Sequence, residues 1–392
     1  MTKQNCLKFL RLSLTSVLAL AITASPVLAV GNTPILDSLT TISTVASTVP
    51  GNGDVNPYGM IVVQKSVGSL VAGHILVSNF NNSMNLQGTG TTIMDMAPDG
   101  SSVNVFAQID PTTLPGSCPG GVGLTTALVI LQSGWVVVGS LPTSDGTSAT
   151  AQAGCLIVLD SNGNVAETIS GSPINGPWDM TSFEIGNQAE LFVTNVLNGT
   201  VAAGGGVVNE GTVVRVNLRV SENEAPVVES MTVIASGLGE RTDPAALVVG
   251  PTGVALSAPC NPFDQKDCAK GASFPFERAL YVADTVNDRI AVIPGPLLRN
   301  TSAGTGITLT TGGTLNAPLG LVVAPNGHVI TVNGDDGFAT EITAKGTQVA
   351  SELLDSSGGP PPGNGALFGL VFDGAGNLFF VDDATNTLNL LN

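Results

Sequence analysis

A strand-opening motif of the form Pro-x-Gly recurs along this chain, and a repeat of that kind constrains the fold more than any single residue does. Asn56-Pro57-Tyr58-Gly59 leads the apolar run MIVV, and Gly176-Pro177-Trp178-Asp179 leads MTSFEI. Gly250-Pro251-Thr252-Gly253 leads VALSA, Ala317-Pro318-Leu319-Gly320 leads LVVAPNGHVITVN, and Ala366-Leu367-Phe368-Gly369 leads LVFDGAGNLFFVDD. A degenerate copy, Gly123-Leu124-Thr125-Thr126, leads ALVILQSGWVVVGS. Each unit continues through a Gly, Asn or Asp turn into a second strand that ends in a polar cluster, as in His74–Asn79 and Ala279–Asp284.

Units opening near residues 57, 124, 177, 251, 318 and 367 leave room for four strands each plus loops. A sheet with two apolar faces must be covered on both sides. Radial stacking of six such sheets does this, so the expected fold is all-β: a six-bladed β-propeller. The last unit holds only three strands before Asn392, while Thr40–Thr48 is a spare strand near the start. Donating that segment to the last blade would close the ring and remove an exposed edge. A seven-bladed ring and a solenoid are the rival architectures.

The first 29 residues have the layout of a cleaved secretory signal peptide. Lys3, Lys8 and Arg11 precede an apolar run from about Leu12 to Ile22, and Val27-x-Ala29 supplies small residues before the cut. The run is too short for a permanent anchor. Residues 30–392 are then a single propeller domain in an exported chain, periplasmic or released. Losing three cations and no acid moves the net charge from −17 to −20. Such a chain repels phosphate backbones, which argues against nucleic-acid partners and against anionic membrane surfaces. Four cysteines remain in it, and an even count in an exported chain points to two disulfides. The simplest pairing is Cys118 with Cys155 and Cys260 with Cys268, each within one unit. A zinc site is the weaker reading, because no CxxC occurs.

Ala279–Ile293 (ALYVADTVNDRIAVI) resembles the core of an NHL-type repeat. The Pro-x-Gly strand openings resemble those of six-bladed propellers of the gluconolactonase-like and strictosidine-synthase-like group. In gluconolactonase-like enzymes the residue between the Pro and Gly positions faces the central channel, where Asn, Asp and Glu hold a divalent metal. The matching positions here are Tyr58, Thr125, Trp178, Thr252, Leu319 and Phe368, with Asp179 adjacent. None of the six is a carboxylate or amide, whereas a hard cation such as calcium wants six to eight oxygen ligands. These seven residues are instead candidates for a ligand-binding channel mouth, since an apolar cleft with a few polar groups is the usual form of a small-ligand site. The competing reading is that they plug the channel as core.

No catalytic residue stands out. His74 and His328 open the second strands of non-adjacent units, too far apart to share a metal, and read as polar residues after a hairpin turn. Asp160-Ser-Asn162-Gly-Asn164 and Asn333-Gly-Asp335-Asp336-Gly337 read as turn chemistry, because Asx-Gly tolerates positive φ. No metal or other cofactor is expected beyond a weak surface calcium ion at Asp335 and Asp336. No GxSxG occurs, and neither histidine is placed to activate a serine. The sequence therefore supports a non-catalytic binding module, with an unidentified small molecule or protein as partner. Its binding face would be built by the insertions Ser140–Gly154, Asn198–Gly211 and Ala258–Glu277. The alternative is a metal-dependent hydrolase, lactonase or lyase of the gluconolactonase-like group.

Overall fold

In each repeat the Pro-x-Gly segment or its degenerate copy opens the innermost strand of an antiparallel sheet, and six such sheets, five of four strands and one of five, form a ring. The computed structural model describes residues 33–260, 268–271 and 277–392, so the expected leader at 1–29 lies outside the described residues. The inner strands are Val55–Val62, Leu124–Ile130, Pro177–Ile185, Pro251–Leu256, Pro318–Val323 and Leu367–Phe372, which define blades 1 to 6. Blade 6 takes its outermost strand from the other end of the chain: Ile42–Ser47 pairs antiparallel with Thr387–Leu391. This is the six-bladed, N-terminally closed ring that the repeat and the spare strand require.

A β-bulge sits at the same place in every inner strand, with register shifts at Pro57/Met60, Leu124/Leu128, Pro177/Met180, Pro251/Val254, Pro318/Leu321 and Leu367/Leu370. A bulge bends the strand and re-aims the extra side chain. Here it turns the middle residue of each motif inward. In blades 1, 4, 5 and 6 the third position is glycine, because adjacent blades meet there. A methyl group on Gly320 would overlap the carbonyl oxygen of Phe368, and one on Gly369 would overlap that of Tyr58. Hydroxyls tie the junctions: Ser78 Oγ accepts from Gly59 N (3.0 Å) and donates to Thr125 O of the next blade (2.8 Å). Thr194 Oγ1 does the same between Asp179 N (3.0 Å) and Thr252 O (2.8 Å).

The polar residue ending each second strand also has a structural use. Asn79 Nδ2 donates to Thr48 O (3.0 Å), and Asn333 Nδ2 to Thr314 O (2.8 Å), each fixing the connection that arrives from the preceding blade. Between blades the sheet faces are buried and apolar. One cluster joins Val137, Leu156, Leu191 and Val214 of blades 2 and 3, and another joins Ile330, Val332, Leu367 and Phe380 of blades 5 and 6. Leu36 reaches into the latter cluster, and its N–H donates to Glu341 Oε2 (2.9 Å), so the segment ahead of the closing strand is docked as well. Cys118 is bonded to Cys155, and Cys260 to Cys268. No helix among the described residues is long and apolar enough to cross a membrane.

Candidate functional site

Because the inner strands run in parallel around the axis, the channel has a leading mouth, where they begin, and a trailing mouth, where they end. The middle residues of the motif lie toward the leading mouth. Tyr58 stacks on Phe368 (centroids 3.9 Å apart) and on Phe80 (4.5 Å), with Trp178 tilted beside it at 6.3 Å. Leu319 joins the same cluster. Tyr58, Thr125, Trp178, Thr252, Leu319 and Phe368 are each at most 3% exposed, which makes them a plug and not the lining of an open mouth. Burial, with Asp383 second, raises the Tyr58 hydroxyl well above its ordinary range.

The plug is covered by the chain itself. The outer strand of blade 3, Val227–Asp243, overshoots its sheet and folds back through a turn into the short strand Leu247–Val249. This strap crosses the leading mouth. Val248 O accepts from Trp178 Nε1 (3.1 Å), and Pro244 O accepts from Gln87 Nε2 of blade 1 (2.9 Å). Ala246–Val249 share the apolar cluster of Tyr58, Trp178, Leu319 and Phe368. Leu247 adopts φ 63°, a left-handed conformation costing about 1–2 kcal/mol for a branched residue, and its side chain is nearly fully buried. Six of the seven proposed channel-mouth residues are thus buried under this cover, and the seventh, Asp179, faces the other way. Their side chains, a phenol, two hydroxyls, an indole and two hydrocarbons, do not fit a divalent cation.

The trailing mouth differs. It opens into a cavity of about 310 Å³ whose walls include Met60, Leu128, Val254, Leu321 and Leu370. Two buried polar side chains also line it, Asp179 and Thr126. Both stand at the third position of the motif, where blades 1, 4, 5 and 6 carry glycine. In blades 2 and 3 the junction accepts a side chain, and that side chain faces the cavity. The Asp179 carboxyl accepts from Met180 N (2.8 Å) and from Val254 N of blade 4 (2.9 Å). Burial outweighs those two bonds and pushes its pKa from 3.8 to about 7. Thr126 Oγ1 is buried without a hydrogen-bond partner. A second hollow of about 480 Å³, lined by Gln64, Lys65, Gln132, Ser182 and Glu184 among others, adjoins the first. Glu184 accepts from Gln132 N (3.0 Å), and burial raises its pKa.

Other sequence candidates are engaged in structure. Asp336 accepts from Asn316 Nδ2, Asn333 Nδ2 and Phe338 N, the bonds that hold the turn it occupies. His74 Nδ1 lies 3.0 Å from Asp95, and His328 Nδ1 lies 2.6 Å from Glu341, each a pair within its own blade. Among the described residues no three His, Cys, Asp or Glu side chains are grouped to hold a metal. The three insertions do not build one face. Ser140–Gly154 and Asn198–Gly211 join second to third strands, at the leading-mouth face. Ala258–Glu277 joins a first to a second strand and so leaves from the opposite face, with 261–267 and 272–276 outside the described residues. Alternation of strand direction dictates this split.

The chain is similar in structure to a gluconolactonase from Xanthomonas campestris, with 13% identity, 89% of this chain and 88% of that chain covered, and a TM-score of 0.51. It is similar to a luciferin-regenerating enzyme at 11% identity, with 89% and 94% covered and a TM-score of 0.52. The corresponding values for the calcium-binding protein regucalcin from Agrobacterium tumefaciens are 12%, 89%, 94% and 0.50. No family model matches the chain, and no curated protein matches it in sequence. At this identity the likeness carries the six-bladed ring and nothing finer, because one fold hosts many chemistries.

Proposed function

We propose that this propeller is an exported ligand-binding module whose site is the trailing-mouth cavity floored by Asp179 and Thr126. The observation that carries the reading is the double departure from glycine: the ring tolerates a side chain at only two of six junctions, and both face one cavity. An apolar pocket with a few convergent polar groups, one of them with a shifted pKa, is the ordinary form of a small-molecule site. The leading mouth, where related folds are expected to do metal chemistry, holds an aromatic plug under a strap. Export is supported by the leader-like start of the sequence and by the two disulfides.

Fragment screening by protein-observed NMR tests the site. Hits should shift the methyl resonances of Met60 and Met180, which line the cavity, and Asp179→Asn should weaken them. Hits confined to the leading mouth, or a stoichiometric divalent ion on purified protein that supports lactone hydrolysis, would replace this reading with the enzymatic one.

A further inference from the structure

We infer that the trailing-mouth cavity takes a small apolar molecule through a protonated amine, the ammonium lodging between the Asp179 carboxylate and the Thr126 hydroxyl. The inference rests on the reading of that cavity as the binding site. It starts from a mismatch of charge. Asp179 is 8% exposed, and its hydrogen-bond donors among the described residues are two backbone N–H groups. Among the described residues it is the one ionisable side chain in the cavity lining; the strands of blades 1, 2, 4, 5 and 6 that face it present apolar groups, glycine, Thr126 and Gln64. The charged groups among the described residues that line the adjoining hollow are Lys65, which is exposed, and Glu184. Desolvation disfavours the charged form of a buried carboxylate without a counter-ion, and a cation delivered by a ligand would reverse that.

The rest of the site matches this head group. An ammonium offers three donors and no acceptor. Each Asp179 oxygen already accepts one N–H and keeps lone-pair capacity, and Thr126 Oγ1 is an unused acceptor. A ligand carboxylate would meet a like charge, and an alcohol would bring a donor but no charge. The surrounding methionine, leucine and valine side chains suit a hydrocarbon body. The strongly acidic chain also raises the local concentration of cations.

Benzylamine and benzyl alcohol, nearly equal in shape, separate the possibilities on the full chain, read by calorimetry and by the Met60 and Met180 methyl resonances. Benzylamine should bind about tenfold or more tightly than the alcohol, as expected of a charge-assisted bond to a desolvated partner. Its affinity should rise about tenfold per pH unit up to about pH 7 and level off above, as Asp179 gives up its proton to binding. Thr126→Val should weaken the amine, and Asp179→Asn should abolish both the preference and the pH dependence while the alcohol still binds. Equal binding of the two probes at every pH would sink the ammonium inference and leave the cavity as a site. If neither probe moves the methionine methyls, the cavity reading falls too. Should Asp179→Asn fail to melt cooperatively, the wild-type pH series and Thr126→Val decide alone.

Discussion

A methyl group added at Gly320 has nowhere to go, because the carbonyl of Phe368 in the next blade already fills the space. Gly320→Ala and Gly369→Ala should each cost about 3 kcal/mol or more, since backbone on both sides of the junction must shift. Chemical denaturation against wild type would check this; a loss within about 0.5 kcal/mol would mean the junctions are looser than they look. Acid–base behaviour is set at the same scale. Burial pushes Asp179 and Glu240 up to about 7, and burial with Asp382 nearby does the same to Asp383. The folded state therefore holds protons that the unfolded chain gives up near pH 4. That contribution is complete below the unfolded values and is lost as pH rises through about 7. Melting temperature should thus fall between pH 5 and pH 8, and the triple variant Asp179→Asn, Glu240→Gln, Asp383→Asn should flatten the slope. The middle residues of the motif were legible as a set from their spacing. Their enclosure as a core plug was one of the two readings the sequence offered; what covers them was not legible, because no local pattern says what lies above them. Thr126 was legible in hindsight: it breaks the glycine position exactly as Asp179 does, and an apolar repeat gains nothing from a hydroxyl there.

At the scale of single elements, the strap is the piece that sequence alone hides. Glu240–Val249 precedes the Gly250-Pro251 motif, and it extends one strand and returns as another across the axis. Nothing in its composition signals this, since a short apolar stretch serves equally as strand, cover or core. Replacing residues 242–248 by a short Gly-Ser linker should expose Tyr58, Trp178 and Phe368. Dye binding to the exposed apolar surface should rise and Trp178 emission shift to the red; unchanged spectra would mean the plug is closed without its cover. The disulfides are local clamps of unequal weight. Bridges spanning 37 and 8 residues should contribute roughly 4 and 2.5 kcal/mol through loop closure in the unfolded chain. Replacing Cys118 and Cys155 by serine should therefore lower the melting temperature more than the same change at Cys260 and Cys268.

For the molecule as a whole, the ring was legible because its repeat carries three marks at once: the proline, the glycine two positions on, and the polar residue that ends the following strand. Each has a separate physical reason, namely the bulge, the tight junction and the tether on the incoming connection. Agreement of independent signals is what identifies a fold from one sequence. Closure adds a constraint of a different kind. Ile42–Ser47 is made before every strand of the ring it closes and can be seated only after Thr387–Leu391 exists, so it waits unpaired until the end of synthesis, when blade 6 emerges with a vacancy at its outer edge. A vacancy of that sort does not distinguish its own strand from a neighbour's. At high protein concentration, refolding should produce dimers in which two copies exchange their first strands, and dilution before refolding should suppress them.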